Sequence, residues 1–185
     1  MDDHWLVKEC IKGKAAAQRQ FYDRFAAVML AVCYRYTKSV ADAEDVLQEG
    51  FVKAFKNLQQ YKGEGEVGAW LRRIMVTTAI NFLKKNSRYQ SELVFGDEHL
   101  HAVSSYQPQF ALEAKELADL IRQLPAGYQT IFNLYAVEGY SHVEIGKILG
   151  IQEGTSRSQY ARARALLIQW IEQRNQEIKN RSYAR

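Results

Sequence analysis

Apolar residues recur along most of the chain at intervals of three and four, the spacing that lines one face of an α-helix. Strict alternation of the kind a half-buried strand requires is rare. Residues 5–11 form a short helical stretch. Residues 14–36 carry Phe21, Phe25, Val28, Met29, Val32 and Tyr36 on one stripe, and residues 42–59 carry Leu47, Phe51, Ala54, Phe55 and Leu58 on another. Residues 67–85 carry Trp70, Leu71, Ile74, Met75, Thr78 and Phe82. The glycines of Tyr61-Lys62-Gly63-Glu64-Gly65-Glu66 predict a loop before that last helix. From about 86 to 109 the periodicity disappears, Ser, His, Asp and Gln dominate, and Pro108 closes the stretch, which reads as a linker.

The helical pattern then resumes. One helix is predicted over 110–123, and Pro125 suits the first turn of the next, which carries Tyr128, Ile131, Phe132, Leu134 and Tyr135 and ends at Gly139. Ser141 followed by Glu144 is the signature of a capping box. Behind it Val143, Ile145, Ile148 and Leu149 form the apolar side of a short helix that Gly150 stops. Thr155 is expected to cap a final helix reaching Gln173 or beyond. The fold class is therefore all-α, with two small helical domains, 1–87 and 110–185, joined by a flexible linker over 88–109.

Composition narrows the class further. The chain has 185 residues, 47% hydrophobic and 25% charged, which is globular rather than disordered. The apolar run over 25–33 is less than half of the ~20 residues a membrane span needs. No basic segment leads into an apolar stretch at the N-terminus, so no secretory signal is read and a cytoplasmic location is expected. Cys10 and Cys33 lack CxxC spacing and form neither a disulfide framework nor a zinc site by themselves. The formal net charge is +4, but its distribution matters more. Residues 91–120 hold the acids Glu92, Asp97, Glu98, Glu113, Glu116 and Asp119 against Lys115 alone. Residues 154–185 hold seven bases against two acids, which suggests an anionic partner for the last helix.

Two helices separated by a tight Gly150-Ile151 turn have helix-turn-helix proportions. On the second, Tyr160, Ala163, Leu167, Trp170 and Ile171 share one side, while Arg157, Ser158, Ala161, Arg162 and Ala165 share the other. A packed back and a front of small residues flanked by arginines is what a helix entering a DNA groove needs. A two-helix corner with a solvated basic face would show the same pattern. On the 42–59 helix, Asp45, Gln48, Glu49 and Val52 face away from the apolar stripe, a small hint of a protein contact.

Other chemistry finds little support. Residues 63–68 match GxGxxG formally, but a helix rather than a strand precedes them, and Glu64 and Glu66 would repel a phosphate. His99 and His101 have no nearby third ligand. No nucleophile or acid–base constellation stands out, so no enzyme, cofactor or metal site is predicted.

The segment Ala43-Glu44-Asp45-Val46-Leu47-Gln48-Glu49-Gly50-Phe51-Val52-Lys53-Ala54-Phe55 closely resembles the core-polymerase-binding helix of bacterial sigma factors of the sigma-70 family. Tyr61-Lys62-Gly63, Trp70-Leu71-Arg72-Arg73-Ile74 and Asn81-Phe82-Leu83 are similar to the promoter-melting part of region 2. Leu124-Pro125, Glu138-Gly139-Tyr140-Ser141, Glu144-Ile145, Ile148-Leu149-Gly150-Ile151, Gly154-Thr155, Arg157-Ser158 and Arg162-Ala163-Arg164 resemble region 4. The short two-domain layout points to the extracytoplasmic-function (ECF) group.

That resemblance implies partners and roles. Core RNA polymerase would meet Asp45, Gln48, Glu49 and Val52. Melted minus-10 DNA would meet Tyr61, Lys62, Trp70, Arg72, Arg73, Asn81, Lys84 and Lys85, with the 61–68 loop receiving an extruded base. Duplex minus-35 DNA would meet Thr155, Arg157, Ser158, Ala161 and Arg162. The acidic linker would enter the polymerase channel, and an anti-sigma factor is an expected further partner. Four positions depart from the family pattern: Gln159 where Arg is common, Ala161 where a bulkier residue is frequent, Val67 for an aromatic in the melting loop, and Gly146 for Ala. A stand-alone helix-turn-helix regulator that binds duplex DNA without polymerase is the alternative, although it has no use for the Asp45 face.

Overall fold

A computed structural model describes residues 3–85 and 114–183. His99, His101, most of the acidic stretch and the expected helix start over 110–113 lie outside them. The chain divides into two compact units, Met1–Asn86 and Ser87–Arg185.

The first unit contains α1 (Asp3–Ile11), α2 (Ala15–Tyr34), α3 (Val40–Asn57) and α4 (Val67–Lys84), with a 3-10 turn over Leu58–Gln60. Helix α3 starts two residues earlier than the sequence pattern places it, because Ser39 is the cap and its Oγ accepts the Asp42 N–H at 3.0 Å. The core is built on Phe21, which packs against Phe25, Phe51 and Phe55 with ring centroids 4.9, 6.4 and 5.7 Å away. Leu71, Met75 and Ala79 close it from α4. Gly50 lets α3 and α4 approach: a Cβ there would lie 2.2 Å from the Met75 sulfur. Val28, expected on the buried stripe of α2, is instead 62% exposed. The ion pair between Asp3, at the start of α1, and Arg24 (2.7 Å) shows how far along α2 the short first helix reaches. Val28 lies one turn further along α2.

The second unit contains α5 (Ala114–Gln123), α6 (Ala126–Phe132), α7 (His142–Leu149) and α8 (Glu153–Tyr183), and α6 continues into a π-helical turn over Asn133–Val137. Leu120, Ile121, Leu124, Tyr128, Ala163 and Leu167 form one buried cluster. The capping box at Ser141 is present: its N–H donates to Glu144 Oε2 at 2.8 Å, and its Oγ accepts the Glu144 N–H at 3.3 Å. Ser141 Oγ also donates to Glu144 Oε2 at 2.7 Å, and this bond first, with the Ser141 N–H second, holds the Glu144 carboxyl below the usual carboxylate range. Gly150 adopts φ 75°, the left-handed conformation that ends α7.

Two expectations need correction here. Helix α8 begins at Glu153, not after Thr155, because Ser156 N–H already reaches Gln152 C=O at 3.1 Å. Thr155 is thus inside the first turn and does not cap it. The buried row of α7 is His142, Ile145, Gly146 and Leu149, whereas Val143 is 47% exposed. A histidine takes the inward position because its ring finds both a hydrogen-bond partner and an aromatic stack, described below.

Candidate functional site

Three surfaces carry the residues singled out in the sequence. On α3, Asp45, Gln48 and Val52 are exposed, Val52 to 51%, and all three lie on one outward face. Glu49 is half-buried at its edge and is not free. Its carboxylate is paired with Lys53 Nζ at 2.7 Å, and the same ammonium donates to Thr78 Oγ1 on α4 at 3.3 Å. The hydrogen bond from Lys53 holds the Glu49 carboxyl below its ordinary value, with Lys85 adding a weaker positive influence. Beside this face runs a groove of about 220 Å³ lined by Tyr22, Ala26, Ala27, Leu30, Glu44, Leu47 and Gln48. The α2 half of that surface was not visible in the sequence, since Tyr22 and Leu30 read as ordinary helix residues.

The second surface joins the 61–66 loop to α4. Tyr61 Oη donates to Gly65 C=O at 2.6 Å and its ring lies 5.7 Å from that of Trp70. Gly63 and Gly65 take φ 78° and 76°, which tightens the loop into a shape other residues adopt only with strain. A polar recess of about 400 Å³ adjoins it, walled by Asp3, His4 and Arg24 as well as Tyr61, Gly63, Gly65, Glu66 and Val67. Spacing had given no reason to connect residues 3, 4 and 24 with this loop. Along α4, Trp70, Arg73, Asn81 and Lys84 fall at three- and four-residue intervals with Thr77, so they share one outward row. Lys62 is exposed in the loop. Arg72 falls off the row and is half-buried, and Lys85 caps α4 where its charge acts on Glu49. Val67 is 2% exposed and opens α4 as a core residue. It is not a loop side chain standing in for an aromatic base platform.

The third surface is the front of α8. Arg157, Ser158 and Ala161 are exposed, while Thr155, Arg162 and Ala165 are half-buried. Arg157 is drawn along the helix by Glu153, its Nε donating to Oε1 at 2.8 Å. Ser158 Oγ donates to Thr155 C=O at 3.0 Å. Arg164, seven residues after Arg157 and exposed, belongs to the same front, as its spacing already allowed. Gln159 points inward and is 2% exposed, so its departure from the family's common Arg lies in the core and not on the exposed front of α8. Gly146 explains its own identity: a Cβ there would lie 2.8 Å from the Ile151 carbonyl oxygen, so the turn between α7 and α8 needs a residue without one.

Among the described residues no group of three or more His, Cys, Asp or Glu is placed to hold a metal ion, and no helix is long and apolar enough to cross a membrane. Both cysteines are free and buried, and burial pushes the Cys33 thiol up to about 12.

Comparison with known proteins matches these units to two family descriptions. Residues 21–89 match sigma-70 region 2, and residues 114–167 match sigma-70 region 4. The ECF RNA polymerase sigma factor SigW of Bacillus subtilis is 31% identical over 172 residues, covering 87% of this chain and 92% of that protein. The ECF RNA polymerase sigma-E factor of Haemophilus influenzae is 29% identical over 178 residues, covering 90% and 94%. Among solved structures, the sigma factor RpoE of Bartonella quintana, in complex with the anti-sigma factor NepR, superposes with a TM-score of 0.51 at 20% identity, covering 83% of this chain and 96% of that one.

Proposed function

The chain belongs to the ECF group of the sigma-70 family, and from that membership we propose how its three surfaces divide the work of transcription initiation. As a sigma factor it binds core RNA polymerase, directs it to specific promoters and assists DNA melting. Its relatives match over the first unit as well as the second, which sets aside a stand-alone duplex-binding regulator. The chain acts in the cytoplasm, where the polymerase is, and carries out no catalysis of its own.

The outward face of α3, Asp45, Gln48 and Val52 with Glu49 at its edge, docks on core polymerase. The 61–66 loop and the α4 row take the opened minus-10 strand. Unstacking a base costs a few kcal/mol, and the Tyr61 and Trp70 rings offset that by stacking while Lys62, Arg73 and Lys84 approach phosphates. Asn81 faces the same strand. Arg72, off that row, is left out of this surface, and Lys85, exposed and four residues after Asn81, extends it at the end of α4. On α8, Arg157, Ser158, Ala161 and Arg162 meet the minus-35 duplex, with Thr155 supporting the first turn. An anti-sigma factor, of the kind seen with the Bartonella protein, regulates this chain as well.

The observation that supports this reading best is the α3 face: three exposed side chains on a helix whose opposite side is fully used by the core. Asp45→Arg reverses charge at an exposed position and leaves packing untouched. Purified chain is expected to co-elute with bacterial core RNA polymerase, and the variant to fail while keeping its helical circular dichroism. Unchanged affinity in the variant would move the docking surface elsewhere.

A further inference from the structure

The contact between the two helices of the helix-turn-helix carries a buried polar pair. His142, the first residue of α7, is buried, and its Nδ1 lies 2.9 Å from Ser156 Oγ on α8. Ser156 is fully buried and sits one residue before the exposed Arg157-Ser158 pair. The imidazole stacks on Tyr135 at 4.2 Å with the planes 9° apart, and Tyr160 lies 5.8 Å from it at 58°. Tyr135 and Tyr160 in turn meet at 4.5 Å. The ring is thus stacked on one face by Tyr135 of the π-turn, with Tyr160 of α8 tilted alongside that same contact, and is held at its edge by a hydroxyl.

An apolar contact tolerates a helix sliding or rolling by a fraction of an ångström. A buried hydrogen bond does not, because a lost partner leaves a desolvated polar atom. One helical turn further along α7, Gly146 against the Ile151 carbonyl fixes the turn. We propose that His142 and Ser156 are positioning residues, setting the rotation of α8 on α7 and so the direction in which Arg157 and Ser158 face the duplex. The inference rests on the assignment of α8 to minus-35 reading and adds the pair that makes that reading sequence-selective.

The test uses the chain assembled with core RNA polymerase and a duplex library randomised upstream of a fixed minus-10 segment. His142→Phe keeps a ring against Tyr135 and Tyr160 but removes its nitrogens, and Ser156→Ala removes one hydroxyl. Each is expected to lower the preference for the wild-type-selected duplex over a scrambled one by roughly three- to ten-fold. The double variant should lose no more than the worse single, because both remove the same bond. A merely structural role would lower affinity for both duplexes alike and leave the ratio unchanged, which would overturn the proposal, as would losses that multiply in the double variant. Assembly without any selected upstream sequence would overturn the minus-35 assignment and this role with it, whereas failure to assemble shows separately in the elution profile.

Discussion

Protonating His142 would put a positive charge at the N-terminus of α7, where the helix dipole already opposes it, and beside Arg157. Burial is the largest influence, Arg157 adds to it, and Glu153 partly counters both, so the imidazole titrates below its ordinary value of 6.5. The unfolded chain therefore binds that proton more readily than the folded one. Stability from this group is complete above 6.5 and is lost as the pH falls from there through the lower folded value. Urea unfolding of the second unit should show its midpoint falling as pH drops below 6.5, and His142→Phe should flatten that slope. An unchanged slope in the variant would assign it to other groups. Arg157 obeys a different balance. Its pairing with exposed Glu153 is worth at most about 1 kcal/mol, so a guanine edge or phosphate can displace it. Arg157→Ala should cost about 1–3 kcal/mol on the selected minus-35 duplex if the contact is bidentate. An equal loss on scrambled DNA would make it a phosphate contact instead.

At the scale of elements, the glycine inside α7 that faces its turn, Gly146, shows two opposing effects with different sizes. Gly146→Ala would gain about 1 kcal/mol of helix propensity. The added methyl would meet the Ile151 carbonyl, which is backbone and cannot rotate away, at a cost of about 1–3 kcal/mol. The net expectation is a modest destabilisation of the second unit, read as a lower urea midpoint at constant slope, and a rise in midpoint would show that the turn can open. Helices, the capping box and the left-handed Gly150 were legible in the sequence because they rest on local periodicity and local hydrogen bonds. What periodicity missed depended on neighbours. It placed Val143 inside because valine is apolar, whereas the Ser156 hydroxyl and the Tyr135 ring decide in favour of His142. It placed Val28 inside for the same reason, although the folded chain leaves it exposed. The resemblance grouped Arg72 with Arg73, although adjacent residues on a helix point in different directions. The resemblance supplied most of the candidate site residues, and the folded chain supplied the recess walls from α1 and α2 and the inward turn of Gln159.

At the scale of the whole molecule, each unit has a core of its own, around Phe21 and Met75 in the first and around Leu124 and Leu167 in the second. Fragments 1–86 and 87–185 are therefore each expected to unfold cooperatively. The first should still bind core polymerase through α3, and the second should retain weak preference for the selected duplex. Mixed together, however, they should not replace the intact chain in promoter-directed transcription at matched concentration. Covalent connection makes the second contact intramolecular, at an effective concentration on the order of millimolar, which fragments at micromolar concentration forfeit by about a thousand-fold. Raising the concentration of the second fragment should recover activity in proportion, because the missing quantity is local concentration and not a missing contact. Activity of the mixture equal to that of the intact chain would mean that promoter choice is made by one unit alone, and the fragment whose omission then abolished transcription would identify which.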